Sequence, residues 1–530
     1  MHDGRYHMTK KSCLIGTDIG TSGTKTIVMD TGGRLLSSAS AEYGVLTSRA
    51  LWAEQWPDVW LQAVKKTIHD AVRESGVEPG AIAGICISGL YGGSGVPCDA
   101  ALNPVRPCII WMDRRAEAQS RWVADHVGLE RLYDVTRNGA DPYYGFTKIL
   151  WIKDNEPENW SRIRVFLPPN AFVIQRLTSK IAIDFSSAGN IGGVFDLEHR
   201  CWSKSMLEAM GLPASLMPEP IIPSSGIVGG LTREAARELG LRAGTPVCPG
   251  GVDCVVATLG LGVLRPGQHV AIIGTSMTWG LVHHEPLRSK NLICMPYVKD
   301  PEELLFTFGG AATAGALPKW FRDTFAELER SDEARSGVSA YQALEKRAVE
   351  IAPGSDGLIV LPYFMGERSP IWDVHARGTV LGLSLHHGKA HLFRAFLEAV
   401  AYSLRHTMEN VETGAHLGES LVLAGGVTRS KLWKQIFADV TGYPIICPDR
   451  DVEANLGDVL LAGMGTGLLD SSAAERWVSF EERIMPVPSR KAIYDRYYEH
   501  YKAVYQRLKP TMREMSEMVS GLNSPGQGRS

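Results

Sequence analysis

The sequence predicts an α/β protein built from two related halves. Two observations carry this. One short pattern occurs twice, half a chain apart: an apolar run, a Gly-Thr-Ser turn, and a second β-branched run. The first copy is Cys13-Leu-Ile-Gly-Thr-Asp18-Ile-Gly20-Thr21-Ser22-Gly23, followed by Thr24–Asp30. The second is His269–Ile273, then Gly274-Thr275-Ser276, then Met277–Val282. The elements that follow each copy also come in a similar order. Each copy reads as a β-hairpin whose turn offers backbone N–H groups and hydroxyls to an anion. Two such turns, one from each half, point to a nucleotide phosphate chain held between related domains.

Neither turn is a Walker loop, which needs Gly-x-x-x-x-Gly-Lys-Ser/Thr and then a helix. Nor is either a dinucleotide fingerprint, which also opens a helix. Here Thr-Ile-Val and Thr-Trp-Gly-Leu-Val follow, and those residues favour strand.

Composition sets the class. The chain has 530 residues, 44% hydrophobic and 21% charged, which fits a soluble globular protein of roughly two to four domains. A net charge of -3 with no polybasic run argues against nucleic acid or an anionic membrane as a partner. Nine cysteines without a Cys-x-x-Cys pair argue against a zinc site and for buried thiols in a reducing, cytoplasmic setting. Pro79–Cys98 and Pro266–His284 lack charge but are broken by glycines and polar residues, so they read as strands and loops, not membrane spans. Residues 1–11 carry no apolar signal core and read as a disordered lead. The polar tail Ser516–Ser530 reads as a fraying end.

The remaining elements follow in order. Gly32-Gly33 turns the chain into a third strand, about Leu35–Tyr43. Trp56–Ser75 has helical periodicity through Val59, Leu61, Val64, Ile68 and Val72. Ala83–Ser88 is a buried strand ending in the glycine-rich loop 89–95. Ile109–Arg115 reads as a short strand running into a charged helix. Thr147–Lys153 starts a helix, and Ile163–Leu167 is a strand. Thr245–Asp253 is a strand and turn that delivers Asp253 to an apolar helix, Cys254–Leu261. The domain boundary falls near residue 262. The second half repeats the order: hairpin, third strand Leu304–Phe308, Gly309-Gly310, and a helix from Leu317. A long helix covers Lys389–His406. Strand Leu421–Ala424 leads through Gly425-Gly426 into helix Lys431–Val440. That glycine pair serves equally well to admit a flat ligand or to pack backbone.

With these elements placed, the chain resembles the FGGY family of sugar kinases. Asp18-Ile-Gly20-Thr21-Ser22 resembles the family's first phosphate loop, and Gly274-Thr275-Ser276 its second. Trp52-Ala53-Glu54-Gln55, Trp111-Met-Asp113-Arg114-Arg115, Thr147-Lys148-Ile-Leu-Trp151 and Gly250-Gly251-Val252-Asp253 resemble further family motifs. Pro362-Tyr363-Phe-Met-Gly366-Glu367-Arg368-Ser-Pro370 is similar to a stretch of xylulose kinases. Gly378–Glu398 nearly fits the family's second signature, with Phe396 where a smaller residue is usual. The resemblance covers about residues 12–505. It implies two ribonuclease-H-like domains of the actin-like ATPase fold with a cleft between them, 12–262 and 263–505. It also implies a homodimer.

The resemblance also implies roles. Phosphoryl transfer is mostly positioning and charge stabilisation, and a sugar hydroxyl needs a carboxylate within reach to take its proton. Asp253 matches the family's base; read alone, it could instead cap helix 254–261. Asp18 matches the residue that holds Mg²⁺ through water. Gly20, Thr21, Ser22, Gly274, Thr275 and Ser276 would contact ATP phosphates, Gly315 matches another phosphate-side glycine, and Gly425 and Gly426 the adenosine site. Lys25 stands where the family carries a basic residue, or is a solvated strand lysine.

On the sugar side the pattern departs. Leu90-Tyr91-Gly92 replaces the polar residues of xylulose and glycerol kinases, and Cys254 replaces the Asn or Gln after the base. Glu54, Tyr91, Trp111, Tyr143, Asp253 and Cys254 remain to contact a polyol, although Trp111 serves equally well as core. The expected activity is ATP- and Mg²⁺-dependent phosphorylation of a small sugar. A pentulose such as D-xylulose leads. A tetritol or other polyol, or a non-catalytic nucleotide- and sugar-binding protein, is the alternative.

Overall fold

The computed structural model describes residues 12–49, 51–289, 291–411, 415–449, 454–480 and 483–522. The first sheet contains β1 (Cys13–Ile19), β2 (Gly23–Asp30), β3 (Leu35–Glu42), β4 (Ile82–Gly89), β5 (Gly229–Gly230) and β6 (Pro246–Cys248), in the order β5-β6-β4-β1-β2-β3. β1, β2 and β3 form an antiparallel meander. β4 and β6 then add in parallel. β4 is buried along its whole length, as the unbroken apolar run of a central strand requires.

The second sheet repeats this plan. It contains β7 (His269–Ile273), β8 (Met277–His283), β9 (Ile293–Pro296), β10 (Leu305–Ala311), β11 (Leu421–Gly425) and β12 (Ile445–Ile446), in the order β9-β10-β8-β7-β11-β12. β7 and β8 are an antiparallel hairpin, and β11 and β12 add in parallel. β9 is an edge strand that the periodicity did not reveal. Gly309 and Gly310, placed after the third strand by the sequence, lie inside β10. A Cβ on Gly310 would stand 2.3 Å from the Met277 carbonyl oxygen, so the close strand approach explains this glycine.

Two compact units result. One takes the described residues of Met1–Pro266, Val282–Thr307 and Val452–Ser479; the other takes those of Gly267–Leu281, Phe308–Asp451 and Phe480–Ser530. In the first unit, helix Pro57–Ser75 buries Trp60, Val64, Ile68 and Val72. They join Ile15, Ile85, Ile87 and Val247 in one core, each worth about 1.5–3 kcal/mol of burial. Pro57 starts that helix, and Gly76 ends it in the left-handed region at φ 64.

The stretch read as a fraying end from Ser516 is helical as far as Leu522, within Pro488–Leu522. Ser516 accepts a hydrogen bond from Arg377 Nη2 at 2.9 Å, which ties that turn down. Residues 1–11 and 523–530 lie outside the described residues. Among the described residues no helix is long and apolar enough to cross a membrane.

Candidate active site

In the first sheet the parallel strands place the chemistry. Asp18 is in register with Ser88, and Ile19 with Gly89; Gly89 is bridged to Val252. The ends of β1 and β4 and the loop after β6 therefore bring Asp18, Ser88 and Asp253 to one edge, where open α/β sheets bind ligands. Asp18 and Asp253 are both partly exposed.

The loop before Asp253 is held by close packing. Gly89 N–H donates to Gly251 O (3.1 Å) and Val252 N–H to Ser186 Oγ (3.1 Å). A Cβ on Gly250 would meet Ile87 O at 2.7 Å, and one on Gly251 would meet Ser186 Oγ at 2.6 Å. Asp253 is the first residue of helix Asp253–Gly260, and Val252 occupies the cap. Its Oδ1 accepts the Cys254 N–H at 2.6 Å. Asp253 therefore stands one residue inside the helix, with its carboxylate on a first-turn N–H.

The first Gly-Thr-Ser turn has its carbonyls tied back. Gly20 O accepts from Tyr43 OH (2.7 Å), Thr21 O from Gln55 Nε2 (2.9 Å) and Ser22 O from Tyr43 N–H (3.0 Å). Trp111 Nε1 donates to Thr21 Oγ1 at 2.9 Å. With its acceptors occupied, the turn presents donors. Lys25 is in register with Asp18 on β2.

The second turn reaches the same state by other means. Gly274 O accepts the Gly315 N–H (2.9 Å), and Thr275 O accepts those of Ala314 (3.0 Å) and Ala316 (3.1 Å). Gly274 N–H donates to Ser276 O (2.9 Å), and Gly274 and Thr275 are exposed. A Cβ on Gly315 would stand 2.4 Å from Gly274 O. The glycine pair after β11 divides. Gly425 has φ 91 and would meet Ile273 O at 2.3 Å, whereas a Cβ on Gly426 would meet nothing within 4 Å. Packing explains the first glycine only.

Residues 13–260 match the FGGY family of carbohydrate kinases, N-terminal domain, and residues 269–466 match its C-terminal domain. The chain belongs to the FGGY family of carbohydrate kinases. A xylulose kinase of Lactococcus lactis is 30% identical over 511 residues, covering 95% of this chain and 98% of the relative. A gluconokinase of Bacillus subtilis is 29% identical over 464 residues, covering 87% and 89%. The crystal structure of a ligand-bound xylulose kinase from Lactobacillus acidophilus has the same fold. Its TM-score is 0.87 at 23% identity, over 95% of this chain and 99% of that one.

The remaining sugar-side candidates of this FGGY kinase divide by burial. Tyr91 is 6% exposed, and its hydroxyl is buried with no hydrogen-bond partner among the described residues. Tyr143 is also buried, and its hydroxyl donates to Asn190 Oδ1 at 3.3 Å. Glu54 is engaged by two arginines: it pairs with Arg106, and its Oε1 lies 2.8 Å from Arg115 Nη1. Trp111 and Cys254 remain partly exposed.

Three of the kinase's motifs converge on Arg115. Its guanidinium pairs with buried Asp113 (2.7 Å), lies 3.5 Å from the Trp52 ring centre and 4.9 Å from that of Trp151. Asp113 Oδ2 also accepts the Ala53 N–H at 2.6 Å. These bonds explain why the charged helix begins only at Glu117, beyond Asp113–Arg115.

Sequence reasoning missed the role of Lys148. It is fully buried and donates to Gly92 O (2.8 Å), Pro142 O (2.5 Å) and Tyr143 O (2.6 Å). Burial pulls its amine down to about 7. It clamps the loop that carries Gly92. Ser88, Gln55 and Ser186 were likewise given no role, because each acts through a partner distant in sequence.

Proposed function

We propose that this kinase transfers the γ-phosphoryl group of ATP to a hydroxyl of a small sugar, with Asp253 as general base. A pentulose such as D-xylulose is the leading acceptor. The observation that carries the reading is the pair of partly exposed carboxylates, Asp18 and Asp253, on one edge of the first sheet. The name of the Lactococcus relative supports the pentulose.

Mg²⁺ takes hard oxygen donors and uses only one or two carboxylates. The donor set at this edge, the carboxylate oxygens of Asp18 and Asp253, fits that preference. Asp18 would hold the ion, which when bound neutralises charge on the phosphates. Asp253 receives the proton of the attacking hydroxyl, which a neutral alcohol must lose as the new P–O bond forms. Thr21 and Ser22 in the first turn and Thr275 in the second would offer N–H groups and hydroxyls to phosphate oxygens, where charge must be balanced, while the Gly20 and Gly274 N–H groups close their own turns. Gly426 leaves room for the adenosine.

A second reading changes only the acceptor. Tyr91 is buried and Gly92 has no side chain, so this loop brings few polar groups to a sugar, and sites that bind hydroxyls select through such groups. A tetritol or another polyol suits this loop.

The test is coupled ADP release with Mg·ATP across pentuloses, gluconate, glycerol, tetritols and pentitols. A kcat/KM for D-xylulose above every other acceptor supports the first reading. A polyol as best acceptor selects the second. Release of ADP independent of any acceptor refutes both.

A further inference from the structure

The helix Ala454–Gly465 carries a fully buried carboxyl group, Asp458, into the base of the first sheet. Two glycines allow this approach. A Cβ on Gly16 would stand 2.1 Å from Asn455 O, and a Cβ on Gly457 would stand 2.0 Å from Val256 O. The helix backbone therefore touches β1 and the helix that Asp253 begins. Asp458 Oδ1 accepts from Cys86 Sγ at 3.3 Å, and its Oδ2 lies 2.8 Å from Ser88 Oγ. The same Ser88 Oγ lies 3.1 Å from Asp18 Oδ1. Among the described residues no Lys, Arg or His forms an ion pair with Asp458.

This arrangement poses a counting problem. Ser88 bridges two carboxyl groups, yet a hydroxyl has one proton to donate. A buried carboxyl group without a cation is costly unless something neutralises it. Both difficulties vanish if Asp458 donates to Ser88 and Ser88 donates to Asp18. Burial, and after it the Asp18 charge, push the Asp458 carboxyl well above the ordinary carboxylate range, in agreement with that direction of donation.

We infer that Asp458 is a positioning residue: acting through the Ser88 hydroxyl, it fixes the orientation of the Asp18 carboxylate for the divalent cation. This rests on the proposed role of Asp18. Residues behind a metal ligand set its orientation, and their loss typically lowers metal affinity about 10- to 100-fold.

The experiment compares Asp458→Asn, Asp458→Leu and Ser88→Ala in the full chain. The readouts are Mn²⁺ binding with ADP by electron paramagnetic resonance, and thermal unfolding without metal. Asn can donate to Ser88 and accept from Cys86, whereas Leu can do neither. Asp458→Asn is expected to bind Mn²⁺ within about threefold of wild type. Asp458→Leu and Ser88→Ala are expected to bind about tenfold or more weakly, as for a lost supporting residue. Wild-type affinity in folded Asp458→Leu overturns the inference, as does equal loss in Asp458→Asn and Asp458→Leu. If Asp458→Leu does not fold, Ser88→Ala decides in the same way. If Asp18→Ala binds Mn²⁺ as wild type does, the role given to Asp18 fails first, and that failure is distinct from failure of Asp458.

Discussion

Glu367→Gln should make the kinase more stable at alkaline pH and leave it nearly unchanged in acid. Glu367 is 4% exposed. Its Oε1 accepts the N–H groups of Ala312 (2.7 Å) and Arg368 (2.8 Å), while Oε2 is buried without a partner among the described residues. Burial raises its carboxyl from 4.5 to about 7, against the opposing pull of the two N–H groups and Arg368. A raised folded value means that the native state holds the proton more tightly than the unfolded chain. The associated stability is full below the unfolded value and is lost as pH rises through the folded one. A shift of about 2.5 units at ~1.36 kcal/mol per unit gives a total near 3 kcal/mol, of which about 2.5 kcal/mol falls between pH 5 and pH 8. Gln keeps the acceptor for both N–H groups and does not ionise. Urea unfolding of both proteins at those two pH values measures the effect, because other titrating groups cancel in the difference. The expected change in the Gln-minus-Glu stability difference is about 2.5 kcal/mol in favour of Gln at the higher pH. A difference that stays constant with pH would refute the reasoning.

Three further outcomes are expected. Asp253→Asn should lower kcat for sugar phosphorylation by about 10²- to 10⁴-fold and leave ATP affinity, measured by calorimetry, within about threefold; retention of more than a few per cent of turnover would exclude Asp253 as the base. Lys148→Met leaves three buried carbonyls without their donor, at a cost of about 1–3 kcal/mol each where none finds water. Steady-state kinetics should show a raised KM for the sugar and an unchanged KM for ATP. Gly425→Ala should lower the melting temperature because it clashes with Ile273 O, whereas Gly426→Ala should melt as wild type does and raise the KM for ATP.

The fold was legible where residue type and backbone demand coincide. Gly-Thr-Ser between β-branched runs permits few conformations, so both hairpins were found, with their strand order. Strand β9 escaped because Ile293–Pro296 is too short to show a period. The end of β10 was set too early because a glycine that ends a strand and a glycine under a crossing carbonyl, such as Gly310, look alike in sequence. Tyr91 was not legible in the same way: a residue at a strand end can be buried or open, and here it is buried. Asp458 lies 370 positions from Ser88, and an acid within an apolar helix does not announce what it meets.

The two Gly-Thr-Ser turns share a geometry. Both tie back their carbonyls, and in both the first glycine's N–H closes the turn. The first uses Tyr43, through its hydroxyl and its backbone N–H, and the Gln55 amide; the second uses the backbone of residues 314–316. An anion site needs its acceptors occupied more than it needs particular residues to occupy them. The repeated Gly-Thr-Ser is therefore visible in the sequence, while its supports are not, since they share geometry and no residue. The same holds at the edge of the first sheet. Asp18 and Asp253 can be recognised by their surroundings in sequence. Ser88 and Ser186, which bond to a carboxylate or to the backbone beside one, and Asp458, which bonds to Ser88, become visible only once the strands are set in register.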